Sequence, residues 1–179
     1  MKKRNIDMLN GPLAWPLVTY AIPIMLTSVL QLLFNAADLV VVGRYCGSVA
    51  VAAVGATGAI TNLIVNLFIG LSVGAGVAVA HGIGSREEET VSNTVHTAVP
   101  LALVSGVFLT VFGVTFSERI LRAMGTPEDV LPYSSLYMRI YFLGITFSMV
   151  YNFCASMVRA AGDTQSPLAI LTAAGLLNV

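Results

Sequence analysis

Charge is what this chain has least of: Asp, Glu, Lys and Arg make up 10% of its 179 residues, against about 25% in ordinary soluble domains. With 56% hydrophobic residues and a mean hydropathy of +0.84, a soluble globular domain is excluded and an integral membrane protein is expected. The formal net charge is +0, so there is no basic footprint for nucleic acid, and no nucleic-acid partner is expected. Cysteine is nearly absent. Cys46 and Cys154 stand alone, without metal or redox spacing, and read as small apolar side chains. The two histidines, His81 and His96, are also solitary and lie near span ends, where they are read as interfacial or satisfied by neighbours. No nucleophile triad, metal cluster, phosphate loop or redox pair is visible. An enzyme is therefore not expected, nor is a metal or a cofactor.

What the chain does have is long apolar runs. A helix needs about 20 such residues to cross a bilayer. By that measure the sequence predicts an all-α polytopic bundle with four full spans and part of a fifth. The spans run over about 15–42, 49–81, 94–116 and 133–158, and the fifth starts near Leu168. Polar stretches at 82–93, 117–132 and 159–167 are expected to be loops or turns. The basic Lys2, Lys3 and Arg4 resemble a signal-peptide start, but the following run is too long for one and lacks a small-residue cleavage site. It is read as a retained helix, preceded by a polar, turn-forming stretch at 7–12. The fifth run is too short to cross. The expectation is that residues 1–179 form an N-terminal transmembrane lobe, incomplete at its C-terminus.

Lys and Arg set the orientation. Lys2, Lys3, Arg4, Arg86 and Arg159 fall on one side, with Arg44, Arg119 and Arg122 on the other. A cytoplasmic N-terminus in the plasma membrane is expected, with Arg139 near a helix start and able to snorkel outward. The acidic run Glu87 to Glu89 reads as a solvated face that also starts the third helix favourably. Gly70 and Gly74, with Ser72 and Gly76 repeating the spacing, suggest close helix packing. Pro23 predicts a kink in the first span.

Asp38 is the most informative residue. A carboxylate in an apolar span costs roughly 3 kcal/mol on insertion scales and is tolerated where it faces a bundle interior, a cavity or an ion path. Gln31, Asn35 and Asp38 recur at helical spacing, so they share one face, which Ser28 extends. Further polar groups sit in the other spans: Asn62 and Asn66; Ser148, Asn152 and Ser156; and Asn178. Each can serve as interhelical hydrogen-bonding glue, worth about 0.6–2 kcal/mol, or line a cavity. A carboxylate is too costly for glue and can bind or release a cation. In a partly dry cavity, burial favours its protonated form, while water or a cation favours the carboxylate.

Several stretches, in order, are similar to one known family. They are LQLLFNAADLVVVGRYCG, AVAAVGATG, GLSVGAGVAVAHGIG, VHTAV, MGTPEDV, YMRIYFLG and RAAGDTQSPL. The chain resembles the N-terminal part of the multidrug and toxic compound extrusion (MATE) transporters, whose superfamily includes polysaccharide flippases. The resemblance implies twelve helices in two lobes of six around a central cavity. It also implies export of cationic or amphipathic compounds in exchange for protons or sodium ions. By this resemblance Asp38 matches the cation-coupling acid of the first helix and Asn178 a polar residue near it. Either Tyr137 or Tyr141 corresponds to a family tyrosine, and a further fifth-helix acid would lie past Val179.

The expected function is thus a secondary active antiporter with H+ or Na+ as coupling ion. Its partners are a small amphipathic or cationic substrate, the lipid bilayer and a C-terminal lobe, without which the fragment would not transport. The alternatives are a lipid-linked saccharide flippase, which would favour a basic cavity, or a non-transporting scaffold or receptor, which has no need of Asp38. Beyond Asp38 and Asn178, the candidate cavity-lining residues are Gln31, Asn35, Asn62, Asn66, Tyr137, Tyr141 and Asn152.

Overall fold

The computed structural model describes residues 14–178, the side chain of Asn178 excepted. Lys2, Lys3, Arg4 and the stretch 7–12 lie outside the described residues. The fold is all-α, with helices α1 (Ala14–Ser85), α2 (Glu88–Ala123), α3 (Leu131–Ala160) and α4 (Gln165–Asn178). The first three are long and apolar enough to cross a membrane.

Helix α1 holds two of the predicted spans in one run. Only Gly47, at φ 81° and ψ −179°, leaves helical dihedrals inside it. That φ strains any residue with a Cβ but not glycine. The chain reverses there, so α1 has a first limb, residues 14–46, and a second limb, residues 48–85. The limbs run antiparallel, as the surfaces they line together show. Asn35 and Asp38 share a cavity with Thr61 and Asn62, and Ile24 and Gln31 share another with Ile69 and Gly76. Pro23, where a kink is expected, lies inside the first limb and keeps helical dihedrals.

The other three breaks are short because each closes the preceding helix with a pair of backbone hydrogen bonds. Glu87 N–H donates to Gly82 O (2.9 Å) and Arg86 N–H to Ile83 O (3.2 Å). Thr126 and Gly125 donate in the same way to Leu121 and Arg122, and Asp163 and Gly162 to Val158 and Arg159. This Schellman pattern needs a left-handed residue. Gly125 (φ 75°) and Gly162 (φ 90°) adopt it freely, whereas Arg86 (φ 60°) adopts it with strain.

The predicted loops shrink accordingly. The stretch 82–93 is helical except at Arg86 and Glu87, 117–132 is open only over 124–130, and 159–167 only over 161–164. Polar side chains do not unwind a helix whose backbone stays bonded, and a Schellman closure needs only a residue or two to end one. Glu88 and Glu89 fall in the first turn of α2, where their charge is favourable. The Asp163 carboxylate accepts from the backbone N–H groups of Gln165 (3.1 Å) and Ser166 (3.0 Å), capping α4.

The core lies mainly between α2 and α3. Leu109, Leu121, Met138, Phe142, Ile145 and Met149 form one buried cluster; Val79, Ala98, Ala102, Phe153 and Met157 form another. Small residues on α2 let the helices approach. A Cβ on Gly106 would lie 2.7 Å from Thr146 Cα, and one on Gly113 would enter the Phe142 ring. Between them the Thr110 hydroxyl donates to Phe142 O (2.8 Å).

The predicted glycine packing holds only in part. Ser72 and Gly76 are buried, and a Cβ on Gly76 would lie 3.2 Å from Ser156 O. Gly70 and Gly74 are exposed, with nothing within 4 Å of a Cβ at either. Arg139 does not simply snorkel outward. It turns onto α2, donating to Ser117 Oγ (3.2 Å) and pairing with Glu118 (3.7 Å). His96 is satisfied locally, its Nδ1 lying 2.8 Å from Ser92 O. For convenience, the two ends of the bundle are named the Gly47 end, which also holds the 124–130 loop, and the Ser85 end, which holds the turns after α1 and α3.

Candidate functional site

Three helical segments meet around Asp38. Asn35 and Asp38 come from the first limb, Thr57, Thr61 and Asn62 from the second, and Tyr137 and Tyr141 from α3. Together they line a cavity of about 650 Å³ towards the Gly47 end. Helical periodicity explains the grouping, since residues three or four apart share a face. The two tyrosine rings stack with centroids 6.5 Å apart. Asp38 and Tyr137 interact electrostatically, and both tyrosines line the cavity, which keeps open the choice between them. Asp38 is exposed in this structure, the hydrated setting that favours the carboxylate.

The chemistry of the lining suits a cation. It holds a carboxylate, two carboxamides and several hydroxyls, and, among the described residues, no Lys or Arg. Thr57 and Thr61 are buried, and their hydroxyl protons are committed to the helix backbone. Thr57 donates to Val54 O (2.8 Å), and Thr61 to Thr57 O (2.9 Å). With the donors used locally, the hydroxyl oxygens remain as acceptors.

A second cavity, about 490 Å³, lies towards the Ser85 end. Gln31 and Asn152 line it, with Tyr20, Thr27, Ser28 and Ser156. Asn152 is oriented by its amide, which donates to Ser148 O (2.9 Å). The predicted polar stripe on the first limb is therefore shared out: Asn35 and Asp38 serve one cavity, Ser28 and Gln31 the other. Asn66 lines neither and is exposed on the second limb, on the side of Gly70 and Gly74. The side chain of Asn178 lies outside the described residues.

Sequence reasoning missed Thr57, Thr61, Tyr20 and Tyr151. The i, i+4 spacing of the threonines was an available signal. Nothing in the sequence links Tyr20 to α3, although its hydroxyl donates to Arg159 O (3.1 Å) across 139 residues.

Residues 23–179 match the MatE family. A probable multidrug resistance protein, YoeA of Bacillus subtilis, is 31% identical over 95% of this chain and 37% of its own length. An FAD transporter of Shewanella oneidensis is 27% identical over 100% of this chain and 39% of its own. The structure of a MOP superfamily transporter from Pyrococcus furiosus superposes with a TM-score of 0.90 at 26% identity, covering 99% of this chain and 39% of that one. The chain thus spans well under half the length of the relatives it matches. Matched over most of its sequence and sharing a transporter fold along nearly all of it, the chain belongs to the MatE family, the MATE transporters of the MOP superfamily.

Proposed function

We propose that this chain is the N-terminal lobe of a secondary antiporter that exports organic cations, drugs or metabolites in exchange for protons or sodium ions. The observation that carries this reading is Asp38 in a cavity between helices long and apolar enough to cross a membrane, whose lining has acceptor groups and, among the described residues, no basic side chain. A carboxylate there attracts either the coupling ion or a cationic substrate. If the two compete for that charge, binding one favours release of the other, and an ion gradient drives export when the two facing states differ in ion affinity. Asn35, Asn62, Tyr137 and Tyr141 complete this region of the site, and Asn178 is assigned a place beside it. Gln31 and Asn152 extend a polar surface towards the Ser85 end for the substrate.

The exposed side of the second limb, with Asn66, Gly70 and Gly74, is assigned to face the C-terminal lobe. A bare carboxamide is disfavoured against lipid, and small residues permit close helix approach. The Ser85 end is assigned to the cytoplasm on the Lys and Arg bias. Cys46, exposed at the Gly47 end, checks this orientation. An impermeant thiol reagent added outside intact cells should label it in the full-length protein, and labelling only after permeabilisation would reverse the assignment.

One relative is an FAD transporter, which favours a second reading: export of an anionic metabolite. Arg159, at the rim of the second cavity, is the basic residue lining it. A lipid-linked saccharide, also phosphate-bearing, would need more positive charge than the two cavities offer. The test is gradient-driven transport by full-length protein in vesicles. Asp38→Asn should reduce it to background with insertion intact. Transport at the parent rate by well-inserted Asp38→Asn would remove Asp38 from the mechanism.

A further inference from the structure

A groove of about 480 Å³ runs between the second limb and α2, and it shares no residue with the two cavities along the first limb. On the second limb Leu71 and Ala75 line it. At about 100° per residue they lie on the opposite side of that helix from Ile69, Val73 and Gly76 of the second cavity. Leu71, Asn93, Thr97 and Leu101 are exposed along the groove, and the buried Phe153 of α3 forms its floor.

The chemistry of the groove changes along α2. Thr90, Asn93, Thr94 and Thr97 line the part nearest the Ser85 end, whereas Ala98 and Leu101 line the deeper part beside Leu71 and Ala75. From Thr90 to Leu101 is about 16 Å of helix. The apolar run of α2 starts at about residue 94, so the change falls where a helix passes from the headgroup layer into hydrocarbon. The Thr90 hydroxyl donates to Glu87 Oε2 at 2.9 Å, which places a carboxylate at the rim. Thr94 and Thr97 donate to Thr90 O and Asn93 O, both at 2.8 Å. With their protons spent on their own helix, they demand no partner from an apolar chain beside them. The exposed Asn93 carboxamide brings N–H donors. Among the described residues, no Lys, Arg or His lines the groove. Arg86 lines a separate cavity, with Glu88 and Ser92.

We propose that this groove binds one phospholipid with a primary-amine headgroup, an acyl chain lying along Leu71, Ala75, Ala98 and Leu101. From the Ser85 end inwards the groove offers an acid, a carboxamide and an apolar wall. The lipid offers an ammonium, a phosphate and a chain in the same order. Glu87 accepts from the ammonium, and the Asn93 amide donates to a phosphate oxygen. A headgroup with a phosphate and no cation meets the Glu87 charge without compensation and binds less well. Binding here needs neither Asp38 nor an ion gradient, so it stands apart from the antiport reading.

The test is native mass spectrometry of the purified full-length protein, titrated with phosphatidylethanolamine or phosphatidylglycerol. The parent protein should bind one phosphatidylethanolamine roughly threefold more tightly than phosphatidylglycerol, the scale of an exposed charge pair. Glu87→Gln keeps an acceptor for Thr90 and should abolish that preference. Ala75→Phe fills the apolar part of the groove and should cost the protein one bound lipid. Val104→Phe, at an exposed position of α2 outside the groove, should cost none. Equal affinity for the two lipids in the parent, or an unchanged preference in Glu87→Gln, would overturn the site. Full lipid retention by Ala75→Phe would overturn it too, as expected if another part of the full-length protein fills the groove. So would equal losses from Ala75→Phe and Val104→Phe, which mark unspecific surface lipid. Asp38→Asn should leave the lipid preference unchanged, which keeps this result distinct from any failure of the antiport reading.

Discussion

Single residues set the turns and the polar chemistry of this chain. Arg86 holds a left-handed backbone position that glycine occupies at the two equivalent helix ends. A side chain there costs roughly 1 kcal/mol relative to glycine. Arg86→Gly should therefore raise the stability of the full-length protein by up to about that amount, measured as an upward shift in thermal unfolding. A downward shift would mean that the guanidinium contributes more than the backbone loses. Asp38, Asn35 and Asn62 were legible as cavity-lining residues because polar groups stand out in apolar runs and need a reason to be there. Thr57 and Thr61 were not, because a threonine that bonds its own helix backbone is at home in any membrane helix and carries no such signal. Tyr20 was invisible for another reason: an aromatic near a membrane boundary is ordinary, and its partner lies far away in sequence.

At the scale of elements, the spans were readable from apolar length, whereas their ends and contacts were not. The polar stretch 82–93 looked like a loop, yet hydrogen bonding carries the helices through all of it but Arg86 and Glu87. The G-x-x-x-G spacing of Gly70 and Gly74 suggested an interface, yet a Cβ at either meets nothing within 4 Å, whereas Gly106, Thr110 and Gly113 on α2 pack tightly against α3. Both patterns present small residues on one helix face. Which face meets a neighbour depends on tertiary placement, which spacing alone does not encode. Gly113→Leu would push a side chain into the Phe142 ring, at the upper end of the 1–3 kcal/mol range typical of overpacking or beyond it. Its folded yield in membranes should fall sharply. Gly144→Ala, where a Cβ meets nothing within 4 Å, should be neutral or gain up to about 1 kcal/mol from helix propensity. Equal effects of the two substitutions, read by thermal unfolding, would contradict this assignment of the α2–α3 contact.

For the molecule as a whole, the chain combines a largely apolar exterior with two polar cavities arranged along the first limb. Asp38 opens into the one towards the Gly47 end. Under the proposed antiport, this layout would let an ion and a substrate meet within one chain segment, so that coupling need not be carried over a long distance. The Asp38 cavity was anticipated from the stripe of Gln31, Asn35 and Asp38, but its division was not, since α3 supplies a different residue set to each half. The most direct measurement is ion release on substrate binding by the purified, full-length protein. A cationic substrate is titrated in weakly buffered solution, with and without sodium, while pH and free sodium are followed. Competition at Asp38 predicts stoichiometric release of a proton or a sodium ion from the parent protein and none from Asp38→Asn. Substrate binding without ion release in the parent, or equal release from Asp38→Asn, would contradict it.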